Sequence, residues 1–325
     1  MHNTFKKDVE IMYSNYNTIQ HNLISTTRMD ESWKNVITGN TVKGTIYVSC
    51  SPYTTIEDNV FNSGGIWLEG RSIHYWTTHI IKNNTLNGKP ILYYKNEENL
   101  LISGNASQII LANCSYCTIQ NVNINHSDRG IQIGLSYNNV IYNCTLSNNN
   151  YGISLIYSRD NSIMGNNIFS NKVGIHVGYS NGTRITGNEM RNNEVAVSNY
   201  ETYHTIIEGN TMSKNGVSLW IGDSLYNEIL NNNIERSKEA LHLDGAMVNF
   251  VHHNNFIGNE KSTLIENSFI NIFLRNYWSN WPFPLPKPII CLFYIPWVIG
   301  FRSVSYTHLR AHETRHDLVC RLLLE

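Results

Sequence analysis

The chain has 325 residues, a formal net charge of −1 and 15% charged residues. This near neutrality, without any run of basic residues, excludes the electrostatic surface on which nucleic-acid binding depends. The polar character comes instead from Asn, Ser and Thr, which is typical of an exported solenoid rather than of a cytosolic enzyme.

The first residues lack a leader, because residues 1–13 have neither the charged and apolar regions nor the cleavage site of a signal peptide. Short apolar openings start almost at once, at Ile19, Ile37, Ile56, Ile81 and Ile102. Counting on to residue 119, their spacing varies between 17 and 25 residues. Since a solenoid that starts without a cap exposes an open edge, we expect the given start to be a truncation or an internal Met.

From residue 119 the pattern becomes strictly periodic, with one unit every 22 residues. Four apolar columns keep one phase over these units, and only Asn199 interrupts the fourth. The columns comprise Ile119, Ile141, Ile163, Ile185, Ile207, Ile229 and Val251; Ile124, Leu146, Ile168, Met190, Met212, Ile234 and Phe256; Ile131, Ile153, Ile175, Val197, Leu219 and Leu241; and Ile133, Leu155, Val177, Ile221 and Leu243. Independent columns in one phase identify an internal repeat.

The content of each unit predicts the fold. Short apolar and polar alternations are separated by Asn, Ser and Gly, and no window supports a helix of about ten residues or more. This pattern predicts one coil of an all-β, single-stranded parallel β-helix, whose coils pair only with their neighbours, roughly twelve in all. Recurrent Asn residues, such as Asn166, Asn188 and Asn210, are interpreted as turn residues that bond to their stacked copies, with sugar contact as the alternative.

The pattern N-x-I-x-x-N-x-I, followed by G-I-x-L-x-x-S, resembles the repeat of right-handed parallel β-helix proteins in the pectin-lyase-like superfamily. The resemblance is to the NosD-like group, also called CASH repeats, and covers about residues 14–276. The segment Asn276–Trp281 resembles the N-Y-W signature with which such repeats close. The resemblance implies a right-handed β-helix domain over residues 1–276, with irregular coils up to about residue 108. It leaves the activity open, because one fold hosts many functions.

The C-terminal part departs from the repeat. Residues 277–301 are predicted to cap the last coil, because the apolar run 282–300 is too short, and too broken by Pro296, to span a membrane; a membrane or partner contact is the alternative. Residues 302–325 are interpreted as a non-native tail, since the string from about Ser303 resembles translated sequencing-adapter read-through. Its His and Cys residues are therefore excluded from every site argument; they are His308, His312, His316 and Cys320.

Cysteines of the solenoid raise the question of a metal. Cys114 and Cys117 form a C-x2-C pair, and Cys144 follows one coil later. All three fall in columns that Ser or Asn fill in other coils, which favours small turn residues over metal or redox chemistry. A copper site would need three or four convergent soft ligands. We therefore predict no cofactor, and calcium or copper is implied only by analogy with the family.

The late coils carry the candidate functional residues. In a strand, the residue between two inward residues points outward, and this rule places Gln132, Ser154, His176, Ser198, Trp220 and His242 in one outward stripe. Just past it, Glu201 and Asp223 share a column one coil apart. The predicted carbohydrate-binding residues are His176, Tyr200, His204, Trp220, Tyr226 and His242, and the candidate catalytic carboxylates are Glu201, Asp223 and Asp244. The early coils show no comparable cluster, and ordinary polar turn residues are the alternative interpretation.

Aromatic faces beside carboxylates and His are typical of saccharide sites, and two carboxylates about 5 Å apart suit a retaining glycosidase or a shared cation. Enzymes of the superfamily carry paired Arg, several Asp on adjacent coils or an Asp-Pro-His element. The late coils of this sequence contain none of these patterns. We therefore predict a non-catalytic surface or periplasmic β-helix that binds polysaccharide or cell-surface glycan, or acts as a scaffold. The alternative is a polysaccharide lyase, hydrolase or epimerase that uses the late-coil carboxylates.

Overall fold

The computed structural model describes residues 8–280, 290–295 and 298–303, the last two ranges by their backbone alone. The chain is an all-β parallel solenoid of about twelve turns with about 22 residues per turn. The predicted fold class is therefore confirmed. The chain divides into two compact units, which meet in sequence between Arg159 and Asp160, and each is described by itself.

The described part of the first unit is built from short strands and a single-turn helix. In chain order these are β1 (Val9–Met12), β2 (Thr18–Gln20), β3 (Leu23–Ile24), β4 (Thr27–Asp30), β5 (Val36–Thr38), β6 (Thr41–Val42), β7 (Thr45–Ser49), β8 (Thr55–Glu57), β9 (Val60–Phe61), β10 (Gly65–Glu69), α1 (His74–Thr77), β11 (Ile80–Lys82), β12 (Thr85–Leu86), β13 (Lys89–Lys95), β14 (Leu101–Gly104), β15 (Gln108–Ala112), β16 (Thr118–Asn125), β17 (Arg129–Gly134), β18 (Val140–Tyr142), β19 (Thr145–Ser147) and β20 (Tyr151–Ile156).

Three strands per turn stack into parallel ladders in this unit. One sheet runs β1-β4-β7-β10, a second runs β2-β5-β8-β11, and a third runs from β3 through β6, β9 and β12 to β13, β15, β17 and β20. The ladder of the first sheet ends at β10, because the corresponding later strand, β13, folds back on β12 as an antiparallel hairpin and pairs with β15. The irregular spacing of the early repeats thus corresponds to a change of strand partners.

Two glutamine side chains bond to the backbone of β10 at this break. Gln108 accepts from Ile66 N at 2.9 Å and donates to Ile66 O at 2.6 Å. Gln132 accepts from Leu68 N at 3.3 Å and donates to Leu68 O at 2.7 Å. The prediction that the outward stripe is exposed is wrong here, since Gln132 and Ser154 are both fully buried. Gln132 is covered by β10, to whose Leu68 it bonds, and Ser154 is covered by Arg129, whose guanidinium donates to Ser154 Oγ at 2.6 Å.

The helix α1 lies in the long connection between β10 and β11 and is fixed by a buried tryptophan. Trp76 is fully buried, and its Nε1 donates to Gly70 O at 2.8 Å. Its ring fills the space above Gly134 and leaves no room for a Cβ there. His79 follows the helix, and burial lowers its pKa to about 4. The insertion is therefore a packed part of the unit.

The second unit repeats one turn with little variation. Its described strands are β21 (Ser162–Met164), β22 (Asn167–Phe169), β23 (Val173–Gly178), β24 (Arg184–Thr186), β25 (Glu189–Arg191), β26 (Val195–Tyr200), β27 (Ile206–Glu208), β28 (Thr211–Ser213), β29 (Val217–Gly222), β30 (Glu228–Leu230), β31 (Asn233–Glu235), β32 (Glu239–Asp244), β33 (Phe250–His252), β34 (Asn255–Ile257), β35 (Lys261–Glu266), β36 (Ile272–Leu274), β37 (Tyr277–Trp278), β38 (Ile290–Ile295) and β39 (Val298–Ser303). Every third strand joins the same parallel ladder up to β38, which pairs with β35 and, antiparallel, with β39.

The four predicted apolar columns form the core, because each of their residues is at most 1% exposed. Asn199, the exception in the fourth column, is also fully buried, between Val177 and Ile221 in the register of the ladder. Both side-chain amide atoms of Asn199 are buried without a hydrogen-bond partner. The predicted inward direction therefore holds even where the residue is polar.

The recurrent Asn residues occupy the same bend in successive turns and form a buried hydrogen-bonded ladder there. Asn210 donates from its Nδ2 to Ile185 O and to Asn232 Oδ1, both at 2.9 Å, and its Oδ1 accepts from Asn188 N at 2.9 Å. The same contacts recur along the column of Asn166, Asn188, Asn210, Asn232, Asn254 and Asn276. Each amide satisfies backbone groups that the bend leaves outside the sheets, which explains these Asn without any ligand.

Of the predicted cap at 277–301, the structure describes residues 277–280 and, by their backbone alone, 290–295 and 298–301; of the predicted tail at 302–325 it describes only 302–303, the end of β39. Within the described part, Trp278 still pairs with Phe256, and their rings stack at 4.0 Å. Among the described residues, the structure contains no helix with the length and apolar character needed to cross a membrane.

Candidate functional site

The late-turn face is the outward side of β23, β26, β29 and β32 together with the turns that follow these strands. His176, Ser198, Trp220 and His242 occupy the same register position in successive strands. All four side chains are half-buried. The parallel register therefore brings the last four members of the predicted stripe together, as expected from the 22-residue period.

Trp220 lies flat on this face. Its ring covers Gly222, where an added Cβ would lie 2.6 Å from the ring. On the neighbouring turn it stacks on Tyr200, with ring centroids 5.9 Å apart and an interplanar angle of 17°. Tyr200 in turn meets the edge of Tyr179 at 5.7 Å. The sequence predicted a solvent-pointing Trp220, and the structure replaces this with a stacked aromatic surface whose outer side faces solvent.

Tyr200 is also hydrogen-bonded to one of the predicted carboxylates, that of Glu201. A hydrogen bond with Glu201 raises the pKa of Tyr200 to about 12, and desolvation and the charges of Glu201 and Asp223 act in the same direction. The phenol therefore stays protonated and can donate at neutral pH.

Glu201 and Asp223 occupy equivalent turn positions on adjacent turns. Both have left-handed backbones, with φ of 47° and 45°. Glu201 N donates to Gly222 O at 3.0 Å, and Asp223 N donates to Asp244 O at 2.8 Å. These bonds stack the backbones of the two residues on adjacent turns, and each non-glycine residue in this conformation stores some strain.

His204 and Tyr226 form a second aromatic pair three residues further along each turn. Their rings stack at 5.6 Å with an interplanar angle of 14°. Both residues have left-handed backbones, and Tyr226 is 50% exposed. The pair is a second stacked aromatic surface, on the turns that follow β26 and β29.

His242 lies between two carboxylates. Its Nδ1 is 3.6 Å from Glu239 Oε1, and its Nε2 is 3.3 Å from Glu266 Oε2. Sequence reasoning missed both glutamates, although Glu266 follows Asp244 by one 22-residue period and pairs with it in register.

Asp244 itself accepts from Asn267 Nδ2 at 3.3 Å, so this carboxylate is partly engaged in the turn. His176, at the other end of the face, contacts Ser198 Oγ at 3.2 Å.

The prediction that the early turns carry no comparable cluster is wrong. The ring centroids of Tyr47 and Trp67 lie 5.0 Å apart on the outward side of β7 and β10. Arg129, only 2% exposed, places its guanidinium 3.6 Å from the Trp67 ring centroid and 4.2 Å from that of Tyr151. The sequence did not reveal this cluster because its members come from different sheets and are separated by up to about one hundred residues.

The cysteines do not fit the requirements of a metal site. The Sγ atoms of Cys114 and Cys117 face backbone carbonyl oxygens, at 3.5 Å from Ala112 O and 3.4 Å from Ser115 O. Burial raises the pKa of Cys114 to about 11, which disfavours the thiolate that binds metals. Within the described ranges, no group of three His, Cys, Asp or Glu side chains is placed to hold a metal ion.

The chain matches a known protein family over more than half of its length. The family described as "Periplasmic copper-binding protein (NosD)" matches residues 77–205 and 108–282. The chain belongs to the NosD family. The copper in the family description finds no matching donor set at the cysteines of this member.

Solved structures with similar folds include the A-module of the mannuronan C-5 epimerase AlgE4 of Azotobacter vinelandii, at 11% identity and a TM-score of 0.45, covering 80% of this chain and 89% of that one. DFA-IIIase of Arthrobacter chlorophenolicus A6 has 9% identity and a TM-score of 0.38, with 71% and 76% covered. The enzymatically active domain of tailspike protein 2 of bacteriophage CBA120 has 12% identity and a TM-score of 0.39, with 79% and 43% covered. No curated protein sequence matches the chain significantly.

Proposed function

We propose that this NosD-family protein is a non-catalytic β-helix of the periplasm or cell surface that binds a glycan on its late-turn face. The stack of Trp220 on Tyr200 carries the proposal. It offers an aromatic surface for the apolar face of a sugar ring, because aromatic side chains combine large contact area with a fixed orientation. The family description as periplasmic supports the location.

Polar groups around this surface supply direction. Glu201 and Asp223 lie on the turns beside Tyr200, and His242 is held between Glu239 and Glu266. Carboxylates accept hydrogen bonds from sugar hydroxyls, and the Tyr200 oxygen, whose proton is donated to Glu201, can accept one as well. A few fixed polar groups beside an aromatic surface are the usual composition of a specific ligand site.

A polysaccharide-active enzyme is the second candidate, and the alignment of Glu201 with Asp223 favours it. Strands of adjacent turns lie about 4.8 Å apart, which is close to the separation of about 5–5.5 Å between the carboxyl groups of a retaining glycosidase. The hydrogen bond that the Tyr200 hydroxyl donates to Glu201, one of these two carboxylates, also supports this candidate.

The first test is the substitution Trp220→Ala. It should weaken retention on the bound polysaccharide by roughly 1–3 kcal/mol, the range for truncating an aromatic anchor, because half of the stack is lost. Affinity electrophoresis against a polysaccharide panel measures this, and circular dichroism should show unchanged secondary structure. The matched control is Tyr142→Ala, which removes a 47% exposed aromatic residue from β18 and should bind like the parent. Equal retention by the parent and Trp220→Ala would remove this face as the site.

The double substitution Glu201→Gln with Asp223→Asn separates the two candidates. In a binding protein it lowers affinity modestly, since amides still hydrogen-bond to hydroxyls. In an enzyme it abolishes the formation of new reducing ends or unsaturated products while retention survives. Any turnover by the parent that disappears in the double variant would favour the enzyme.

A further inference from the structure

A groove in the first unit, outside the late-turn face, crosses the four strands β1, β4, β7 and β10 and the turns that follow them. It consists of two neighbouring cavities of about 260 and about 720 Å³. Asp30 and Ser49 line the smaller cavity, and the next residues in sequence, Glu31 and Cys50, line the larger one. The two cavities are therefore consecutive parts of one surface, which we call the early-turn groove.

The larger cavity is lined by exposed aromatic residues. Trp33 is 53% exposed, Tyr53 is 47% exposed and Tyr13 is 72% exposed. Leaving this much apolar surface in water is unfavourable, and exposed patches rimmed by polar residues commonly mark ligand or interaction sites. These rings lie on the turns that follow β1, β4 and β7, the same kind of position that Glu201 and Asp223 occupy in the second unit.

The smaller cavity combines an aromatic pair with charged groups. Arg28, Tyr47 and Trp67 occupy one register position in β4, β7 and β10. The Arg28 guanidinium lies 5.6 Å from the Tyr47 ring centroid. Asp30 and Glu69 line the same cavity two residues further along their strands. The apolar face of a sugar ring can stack on the aromatic side chains of this cavity, and the sugar hydroxyls can hydrogen-bond to its charged groups.

The inserted helix α1 forms a wall of the groove. His74 and Tyr75 line the larger cavity, and the His74 ring lies 6.1 Å from that of Tyr53. The wall is anchored by the buried Trp76, whose carbonyl accepts from the Tyr93 hydroxyl. A site held by packed residues loses little freedom when a ligand binds.

The charges of the groove favour an uncharged ligand. The two cavities are lined by three carboxylates, those of Asp30, Glu31 and Glu69, and by the guanidinium of Arg28. The carboxylates therefore outnumber the guanidinium in the lining. A polyuronate would bring further negative charge against this excess, which costs free energy. The smaller cavity, at about 260 Å³, lies below the range of about 300–1,000 Å³ typical of drug-sized ligands, so it suits a single ring.

We infer that the early-turn groove is a second saccharide-binding site, which takes an uncharged oligosaccharide of more than one ring. Its residues come from the first unit alone, and the inference is independent of the late-turn face. Trp33 and the Tyr47–Trp67 pair provide the stacking surfaces, and Asp30, Glu31 and Arg28 bind hydroxyls.

The first experiment measures binding of neutral hexasaccharides (cellohexaose, xylohexaose, mannohexaose and chitohexaose) and of oligogalacturonate by calorimetry. Trp33→Ala should weaken binding of the neutral ligand about tenfold or more, which corresponds to about 1.4 kcal/mol. The matched control Tyr116→Ala removes a 54% exposed tyrosine from another turn and should leave binding unchanged. Trp220→Ala should leave this site intact, so that failure of one site is distinguishable from failure of the other.

The second experiment uses the parent protein, with Cys50 as a reporter in the groove. Cys50 is partly exposed, whereas Cys114, Cys117 and Cys144 are buried. Burial raises the pKa of Cys50, so alkylation is run under alkaline conditions and followed by mass spectrometry of its peptide, with Cys50→Ser as the peptide control. The bound hexasaccharide should slow alkylation at Cys50. No slowing by any neutral hexasaccharide, binding of oligogalacturonate alone, or unchanged affinity in Trp33→Ala would each overturn the inference.

Discussion

Asn199 occupies a core position that apolar residues fill on the neighbouring turns. Val177 and Ile221 stand beside it in register, and both atoms of its amide are buried without a partner. Asn210, also fully enclosed, uses its amide to bond to three residues on neighbouring turns. The same residue type therefore has opposite energetic consequences at the two positions, because only the bend of the turn offers backbone groups that need a partner.

Asn199→Val should raise the stability of the protein by about 1–3 kcal/mol, the cost of an unpaired buried polar group. Urea unfolding measures this as a higher midpoint with an unchanged slope. The matched control is Asn210→Val, the same substitution in the ladder, which should lower the midpoint because it leaves Asn188 N and Ile185 O without partners. A loss of stability in Asn199→Val would indicate that the amide has a partner such as a buried water.

At the scale of elements, β10 shows how a parallel sheet can end inside a solenoid. The strand is paired with β7 in the regular way, while its backbone also bonds to the side chains of Gln108 and Gln132. An open strand edge invites non-native pairing, and an amide side chain carries the same donor and acceptor as a peptide group. The two glutamines therefore replace part of a missing strand and support the start of the insertion that contains α1.

Gln132→Met keeps the side-chain volume but removes both hydrogen bonds to Leu68. We expect destabilisation of about 1–3 kcal/mol for each buried backbone group left unpaired, and faster hydrogen exchange of the Leu68 amide, because this edge opens first. Hydrogen exchange followed by mass spectrometry on peptides of β10 measures this effect. The control Gln120→Met changes a half-buried residue of β16 and should leave β10 unaffected; equal protection in the two variants would contradict the role of Gln132.

At the scale of the whole molecule, the length of the repeat decides which ladders continue. In the second unit a constant 22 residues per turn keeps three ladders in register. In the first unit, 25 residues separate Ile56 from Ile81, and the connection between β10 and β11 within this interval holds α1. The insertion changes strand partners and builds a wall of the early-turn groove. The groove of this solenoid therefore lies where the repeat is longer than its regular period.

Deleting residues 304–325, which follow β39, should leave the melting temperature unchanged, because nothing in their sequence matches a coil or a cap. Thermal unfolding followed by circular dichroism measures this. Truncation before Asn276 is the control and should lower the melting temperature, since Asn254 N donates to Asn276 Oδ1 at 3.0 Å inside the ladder. A large drop on removing 304–325 alone would show that the tail belongs to the fold.

The sequence by itself determined the turn, the inward columns and the residues that stack on one another in the regular half. Ile175, Trp220 and Glu201 have the predicted neighbours because, in a regular parallel solenoid, positions one period apart must meet. Only the tertiary structure decided that Gln132 and Ser154 are buried, that Trp220 lies flat over Gly222, and that His242 contacts Glu239 and Glu266. The contact between Gln132 and Leu68 joins residues 64 positions apart. No period encodes such a contact, because it depends on where one sheet ends and which surface the last strand then covers.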